Sequence, residues 1–517
     1  MVPSFLPLAL LLGCAARSAA AANVPVCGAI TTSTTWTKNN IYKVNCVTYV
    51  QPGATLTVEP GTVVEAKGRV DPQPAVAIIV HRGARIVAEG TAEEPITFTT
   101  QENIDHYWTP ARADLARGMW SGVVILGRAP VPASSKGIVD DVSCPNCAYG
   151  GDVELDSSGS LEHVRIWYAG HFTGFRAGLT LAGVGSGTAV HHVDVAWNLV
   201  NGVEIIGGAV NIKHVSSTYN GAAAIRLSEG YQGLMQHVFA LVSITGSEAL
   251  VVDSTGDDRR THPKLYNALL VGSMDSNANA VVTFSNGAGG EFGNIVIMNA
   301  KRYAVRQESC GTVVNTRVKP TPGSDDYGTL WWSGRNVVHG EGEFFAGCGD
   351  LSSMDRSDPM LLDIPSFPRF DSRIDPRPKP DSILFEFVDQ TPNDPHDFFE
   401  YAVFRGAFGS AIYDVWIGGY TWMAAHNGLA EHLERAVVVA GADRRSGFAD
   451  RNVIIGVGVL AAAVVVVLAA AAYYFVRFKR VESKYETLIE MTDIKIIGGT
   501  RKPTESSERA AMPPTSL

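Results

Sequence analysis

Three aspartates in the middle of the chain are the residues best suited to acid–base chemistry. Asp253, Asp257 and Asp258 lie in the segment Val-Asp-Ser-Thr-Gly-Asp-Asp. Glycoside hydrolysis requires two carboxylates, about 5 Å apart for retention or about 6.5–9.5 Å apart for inversion. Arg259 and Arg260 follow directly and could hold the carboxylate of a uronate sugar. Ser, Thr, Gly and Asp after a strand are also typical of a turn, and the sequence favours the turn over a catalytic centre.

A second acidic group could bind a metal ion. Asp152, Glu154 and Asp156 alternate with apolar residues, and Ca²⁺ takes oxygen ligands of this kind. The spacing is not that of an EF-hand, so a solvated loop is the competing interpretation. Calcium at this position is the only cofactor that the sequence indicates.

Six of the seven cysteines lie in the predicted ectodomain, after the predicted signal peptide. An even number of cysteines in an exported domain predicts disulfides. Fifteen pairings are possible, and proximity in the sequence suggests Cys27–Cys46, Cys144–Cys147 and Cys310–Cys348. The Cys-Pro-Asn-Cys segment at 144–147 could also be a redox motif or half of a zinc site, but a local staple is the favoured interpretation.

A series of histidines precedes valine at intervals of 22 to 29 residues: His163, His192, His214 and His237. In stacked strands, equivalent positions lie about 4.8 Å apart, so neighbouring histidines could share a metal ion. Zinc, however, requires three or four convergent ligands. We therefore expect the series to form a polar ladder that faces solvent.

Short, alternating apolar segments repeat along the middle of the chain. One series is centred on Leu179, Val203, Ile225, Leu250, Val281 and Val305, at intervals of 22 to 31 residues. Alternation with period two predicts strands, and repeated units of this length bury their apolar faces by stacking. Because no helical pattern separates the strands, the sequence predicts an all-β parallel β-helix, a solenoid.

The ends of the chain predict a single-pass type I membrane protein. Phe5 to Leu12 is a short apolar stretch followed by small residues, which is typical of a signal peptide. Val453 to Val476 has 24 uncharged residues, enough to cross a bilayer, and Arg477 begins a basic flank. The expected location is the plasma membrane, or a membrane of the endosomal and secretory pathway.

These features divide the chain into six predicted parts. They are a signal peptide (1–22), a β-helix with inserted loops (23–380), a C-terminal cap region that closes the open end of the solenoid (381–440), a stalk (441–452), a transmembrane helix (453–476) and a cytoplasmic tail (477–517).

The tail contains two short motifs that could bind cytosolic partners. Tyr485-Glu-Thr-Leu488 fits a tyrosine-based sorting motif, and Thr515-Ser-Leu517 could add to the groove of a PDZ domain. Short strings of this kind also arise by chance. A sorting adaptor and a PDZ domain are therefore candidate partners, together with the bilayer itself.

The net charge of the chain is −10, and the negative charge lies in the predicted ectodomain. An acidic surface repels polyanions, so we expect no nucleic acid partner. The charge is compatible with cations, basic proteins or neutral glycans.

Several longer segments resemble one known family. They include Thr55 to Val64, Arg82 to Phe98, Trp120 to Gly127 and Val164 to Gly170, and a closing pattern at Trp416 to Trp422. The segment from Gly53 to Leu429 resembles the secreted right-handed β-helix proteins with a pectin-lyase-like fold. The resemblance implies that fold but no particular activity, because the family has no general assigned chemistry.

The chain departs from this family where its relatives carry acids. Residues 199–201 are Leu-Val-Asn, residues 222–224 are three alanines, and Arg226 replaces an acid. Any cation binding or catalysis that depends on these acids is in doubt here. This departure favours a non-catalytic role over an enzyme.

The leading functional hypothesis is surface recognition or adhesion, with a glycan or a partner protein as ligand. Exposed aromatic residues would stack on sugar rings, and the candidates are Trp167, Tyr168, Trp197 and Tyr219. The alternatives are a polysaccharide lyase or hydrolase at the aspartate cluster, and an endocytic or sorting receptor that uses Tyr485.

Overall fold

The computed structural model describes most of residues 21–430. The described residues are 21–68, 76–101, 115–135, 137–141, 144–171, 175–243, 245–255, 258–320, 327–351, 354–366, 372–392, 397–410 and 415–430. They belong to the compact unit Met1–Ala442. Within these residues no helix is both long enough and apolar enough to cross a membrane. The predicted membrane span, stalk and tail, and the predicted signal peptide up to residue 20, lie outside the described part of the chain.

The chain winds into a parallel β-helix with three faces. Each regular coil contributes one short strand to each of three parallel faces, and these strands pair with the equivalent strands of the next coil. In one central coil, residues 189–191 belong to the sheet we call A, residues 193–196 to sheet B and residues 201–206 to sheet C. The predicted all-β solenoid is confirmed.

The first coils contain nine strands, and a hairpin of two strands follows them. Their bounds are β1 Ala22–Ile30, β2 Thr34–Trp36, β3 Asn40–Val50, β4 Thr55–Val58, β5 Val63–Ala66, β6 Ala77–Val80, β7 Arg85–Glu89, β8 Ile96–Thr100, β9 Gly122–Leu126, β10 Ile138–Asp141 and β11 Cys144–Ala148.

The central coils are regular, with a long strand shared by sheets A and B alternating with a shorter strand of sheet C. Their bounds are β12 Gly159–Trp167, β13 Ala177–Ala182, β14 Ala189–Ala196, β15 Asn201–Ile206, β16 Asn211–Thr218, β17 Ile225–Ser228, β18 Leu234–Leu241, β19 Leu250–Asp253, β20 Lys264–Val271, β21 Ala280–Ser285, β22 Gly290–Met298 and β23 Tyr303–Glu308.

The C-terminal part contains shorter elements. Their bounds are β24 Val314–Thr316, β25 Thr329–Trp332, β26 Val337–His339, β27 Glu343–Ala346, β28 Leu361–Asp363, β29 Asp375–Pro378, a 3₁₀ helix Ile383–Phe385 and α1 Trp422–Ala425.

Columns of apolar side chains fill the interior of the solenoid. Leu161, Val190, Ile212, Met235 and Leu265 occupy equivalent positions in sheet A of five successive coils, and all five are buried. Full burial of one such side chain contributes about 1.5–3 kcal/mol. A coil cannot bury these residues alone, so the stacking of neighbours supplies the stability of each coil.

A left-handed residue forms the corner between sheets A and B in each central coil. It interrupts the pairing of the long strands, so the chain changes direction without a loop. Histidine and asparagine, which tolerate this conformation better than most residues, occupy the corner: His163, His192, His214, His237, Asn267 and Asn294, with φ between 45° and 57°.

The C-terminal segment lies along the outward face of sheet B. Val415, Ile417 and Trp422 from this segment share one buried cluster with Phe239 and Leu269 of sheet B. The cap region 381–440 is predicted to close the open end of the solenoid, and that role stays a prediction. The described part of the segment covers the outward face of sheet B, which is apolar over many coils.

A buried carboxylate fastens this segment to the coils. Asp194 accepts hydrogen bonds from the Trp167 indole at 2.7 Å and from the Trp422 backbone N–H at 2.8 Å, and a third from the Ser216 hydroxyl. Arg165 donates to the carbonyl of Tyr420 in the same segment. Because Asp194 is fully buried, loss of these donors would leave an unsatisfied carboxylate, which is costly.

The left-handed corner yields a test by paired substitutions. We expect His163→Val to lower the free energy of unfolding more than His163→Asn, by about 1–2 kcal/mol, because a β-branched residue is strained at positive φ. The measurement is urea unfolding followed by circular dichroism. His191, whose φ is negative, is the matched position. An equal difference between Val and Asn at His191 would contradict this account of the corner.

Candidate functional site

A row of charged side chains crosses the outward face of sheet C. Glu204 and Arg226 occupy paired positions on β15 and β17, and Asp253 ends β19. Arg226 lies between the two acids, with Nε 3.6 Å from Glu204 Oε1 and Nη2 2.8 Å from Asp253 Oδ2. Their side chains are 14–33% exposed, so solvent reaches the row.

The polar row continues across the next two coils. Asp253 Oδ1 accepts hydrogen bonds from the Ser285 hydroxyl and the Asn286 amide, each at 2.8 Å. On the following strand, Arg306 lies 2.6 Å from Glu308. The row is diagonal to the coils, because Val251 is the residue paired with Arg226 and Asp253 lies two positions further along β19.

Glu204 and Asp253 differ in their surroundings. Burial raises the pKa of Glu204 above its usual value, while Arg226 and Asn201 oppose the shift. Asp253 instead accepts three hydrogen bonds, from Arg226, Ser285 and Asn286. The strands of the two acids are two coils apart, and Arg226 lies between their carboxyl groups.

The aspartates predicted to be catalytic do not share partners in the described residues. Asp258 Oδ2 accepts the backbone N–H of Ala133 at 2.5 Å, whereas Asp253 pairs with Arg226. Asp257 lies outside the described residues. This catalytic cluster therefore remains a prediction.

The two arginines after the cluster bind the backbone. Arg259 donates to the carbonyl of Gly230 at 3.0 Å, and Arg260 donates to the carbonyl of Gly287 at 2.9 Å. These contacts tie neighbouring coils together, so both guanidinium groups have structural partners.

The predicted calcium ligands lie in a turn beside β12. Asp156 Oδ2 accepts a hydrogen bond from the backbone N–H of Arg128 at 3.0 Å. The backbone carbonyl of Glu154 accepts one from the backbone N–H of Ser186 at 2.9 Å. Asp152 and Glu154 are exposed. Within the described residues, these three carboxylates do not belong to a set whose ligand atoms all approach within 4.8 Å. The calcium prediction remains open.

The inserted hairpin β10–β11 covers the first part of sheet C. Cys144, Cys147 and Tyr149 pack on Ile79 and Val124 of this sheet. The Tyr149 hydroxyl lies 3.1 Å from Ser135 Oγ, and burial raises its pKa. The charged row therefore begins where the hairpin ends.

All three predicted disulfides are present. The bonded pairs are Cys27–Cys46, Cys144–Cys147 and Cys310–Cys348. The second joins residues of the hairpin, as expected for a local staple.

The four corner histidines form a continuous stack of rings, which we call the histidine ladder. The centroids of His163 and His192 are 4.5 Å apart, those of His192 and His214 are 4.5 Å apart, and those of His214 and His237 are 4.7 Å apart. The interplanar angles are 14–16°. Equal position in successive coils produces the stack.

The prediction that this ladder faces solvent is wrong. Tyr420 packs on the edge of His163 at 5.1 Å, Trp416 packs on His214 at 5.3 Å, and Phe404 lies 5.9 Å from His237. The C-terminal segment thus covers the ladder, a contact between residues some 200 positions apart that spacing in the sequence does not reveal.

Burial keeps the ladder uncharged at neutral pH. Desolvation, assisted by repulsion from neighbouring histidines or from Lys213, lowers the pKa of His192 to about 3 and that of His214 to about 2. The pKa of His237 falls to about 4, although Glu400 opposes this shift. The pKa of His163 is lowered by burial as well.

The aromatic residues proposed to stack on sugars are buried instead. Trp167, Tyr168, Trp197 and Tyr219 are each no more than 2% exposed. Trp422 of the C-terminal segment lies 5.1 Å from Trp197 and donates its indole N–H to the Tyr168 hydroxyl at 2.9 Å. These residues pack against the C-terminal segment of the same chain, so they are not available to a sugar.

Three important residues were not singled out from the sequence. Glu204 has a recognisable signal, because it is the one charged residue in the repeated apolar segment Gly202 to Ile206. Asp194 and Glu400 have none, because their partners are distant in sequence. The tail residues Tyr485, Leu488, Thr515 and Leu517 lie outside the described residues.

Comparison with known families agrees with this architecture. The profile of the pectate-lyase-like beta helix domain matches residues 28–321, more than half of the chain. The chain belongs to this family. No curated protein and no solved structure matches the chain.

The histidine ladder predicts a pH dependence of stability. Because the folded-state pKa of His192 lies below the unfolded value of about 6.5, unfolded chains bind more protons between those values. The free energy of unfolding should fall as the pH drops from 7.5 to 5, by about 1–2 kcal/mol for His192. Urea unfolding at both pH values, with a chelator present, measures it.

The variant His192→Asn separates the contribution of His192 to the pH dependence from those of other titrating groups. Burial raises the pKa of Asp194, which acts in the opposite direction by favouring the folded state at low pH. His192→Asn retains a residue suited to the corner and removes one titrating ring. An unchanged pH slope in His192→Asn would refute the role of the ladder.

Proposed function

We propose that this chain is a membrane-anchored surface protein whose β-helix binds an extended glycan along the outward face of sheet C. The observation that carries the proposal is the row in which Arg226 joins Glu204 and Asp253. Charged groups held in a plane by their neighbours are pre-organised to hydrogen-bond sugar hydroxyls without further ordering. Parallel pairing brings Glu204 and Arg226 to adjacent strands about 4.8 Å apart, and Asp253 reaches Arg226 from the strand beyond.

The same row favours binding over lyase chemistry. A calcium-dependent lyase uses carboxylates that are free to coordinate the ion, whereas Arg226 already pairs with both acids. A lysine or arginine between two carboxylates also repels an incoming cation. Recognition or adhesion is therefore the better fit for this face.

The location belongs to the proposal. The apolar start of the chain and residues 453–476 support a single-pass type I topology at the plasma membrane or along the secretory and endosomal pathway. The β-helix would then face the exterior, where its three disulfides are stable.

Binding to immobilised polysaccharides tests the role of the row. The purified full chain is applied to neutral and anionic polysaccharides, with and without Ca²⁺, and both retention and chain shortening are scored. We expect retention without shortening, and at least a tenfold loss of affinity in Arg226→Gln, because two carboxylates lose their shared partner.

Lys38→Gln is the matched control, since Lys38 forms an exposed pair with Glu94 at another surface and its loss should leave retention unchanged. Equal retention of Arg226→Gln and the parent chain would exclude this face as the binding site.

A hydrolase is the second candidate, supported by the raised pKa of Glu204 near Asp253. In this case Glu204 would act as general acid and Asp253 as the second carboxyl group. Chain shortening that disappears in both Glu204→Gln and Asp253→Asn would establish the enzyme in place of the binding module.

A sorting role for the tail has its own test. If Tyr485 recruits an adaptor, Tyr485→Ala should raise the surface fraction of the protein severalfold, measured by surface biotinylation. Thr515→Ala serves as the control, because it changes the other tail motif. Unchanged surface residence of Tyr485→Ala would remove the sorting hypothesis.

A further inference from the structure

Two members of the histidine ladder and one acid of the cover converge on a single point. His214 Nε2 lies 3.9 Å from Glu400 Oε2, and His237 Nε2 lies 3.7 Å from the same oxygen. The three potential ligand atoms all lie within 4.8 Å of one another. We propose that His214, His237 and Glu400 form a transition-metal site that fastens the C-terminal segment to the coils.

The backbone holds Glu400 in place for this role. Gln236, which is fully buried, accepts the Glu400 backbone N–H at 2.7 Å and donates to its carbonyl at 2.8 Å. Gln236 directly precedes His237, so one strand positions both the histidine and the acid. The carboxylate is therefore presented to the rings by a two-point clamp and not by a free loop.

The corner residues of successive coils differ in their hydrogen bonding. At the next two corners, Asn267 donates to the carbonyl of Phe404 and Asn294 donates to that of Asp389. By contrast, the Nδ1 atom of His214 is buried without a hydrogen-bond partner in the described structure. Its other ring nitrogen, Nε2, faces Glu400, so an ion would bind on the carboxylate side of the ring.

The distances among the three ligand atoms would suit a small ion after a slight contraction of the site. An ion equidistant from the three atoms would lie about 2.5 Å from each, and a contraction of about 0.4 Å reaches the distances of zinc to nitrogen and oxygen. The rings are nearly parallel, so one must tilt to direct its lone pair at the ion. Glu400 is half exposed, which leaves an open side for a water ligand.

The ligand set selects the class of ion. Two imidazoles and one carboxylate favour Zn²⁺ and similar transition metals over Ca²⁺ or Mg²⁺, which prefer oxygen ligands. A neutral imidazole coordinates such an ion through one ring nitrogen, and Nε2 of each histidine faces Glu400.

Lys213 competes with the ion. Its ammonium lies 3.1 Å from the other oxygen of Glu400 and 4.8 Å from the centroid of the Phe398 ring. A metal must therefore share Glu400 with a cation that repels it. Removal of this positive charge should strengthen metal binding, an effect that distinguishes the proposed site from other histidines.

Zinc titration of the full chain tests the proposal. After treatment with a chelator and its removal, isothermal calorimetry should detect one strong Zn²⁺ equivalent that excess Ca²⁺ and Mg²⁺ do not displace. We expect His237→Asn and Glu400→Gln to weaken Zn²⁺ binding at least tenfold. Lys213→Met should tighten binding severalfold. Asparagine preserves the corner, as it does at residue 267.

His163→Asn is the matched control, because it removes a ring from the same ladder but far from Glu400. Its Zn²⁺ affinity should equal that of the parent chain. As a second readout, Zn²⁺ should protect residues 397–430 from proteolysis in the parent chain and in His163→Asn, but not in His237→Asn. Equal Zn²⁺ binding by His237→Asn and the parent, loss in His163→Asn, or weaker binding by Lys213→Met would each overturn the site.

Discussion

Parallel pairing between successive coils is the interaction on which the rest of this structure depends. Each strand finds its hydrogen-bond partner one coil away, so equivalent residues are brought to about 4.8 Å from one another. The apolar columns through Leu161 and Val190, the charged row of Glu204 and Arg226 and the histidine ladder are consequences of the same register. A residue type repeated at the correct interval becomes a continuous feature of one face.

The same register places apolar side chains on the outward face of sheet B, and the C-terminal segment covers them. The outward positions of sheet B carry Phe239, Leu269 and Val296, which would form an exposed apolar strip along the solenoid. The segment that ends with α1 covers this strip and the adjoining histidine corners. Asp194 and Arg165 provide the directional contacts, while the apolar surface provides most of the free energy.

The three faces consequently have different roles. Sheet B and the corner beside it are occupied by the chain itself, and the inserted hairpin occupies the start of sheet C. The remainder of sheet C carries partly exposed ion pairs and is the face that we propose meets another molecule. This division is why a flat polar surface, and not the aromatic residues of the solenoid, carries the proposed function.

The sequence alone determined the β-helix, its coil positions and its three disulfides, because these depend on periodicity and on cysteines close in sequence. Only the tertiary structure shows which segments of the chain pack on the outward faces of the coils. Spacing predicts that four histidines stack, but not that Tyr420, Trp416 and Glu400 lie against them. Likewise, the sequence presents Trp197 and Tyr219 as candidates for sugar binding, but in the folded chain Trp422 packs on both residues. Contacts of this kind arise when a distant segment folds back on the solenoid, and a repeat pattern contains no information about which face that segment will choose.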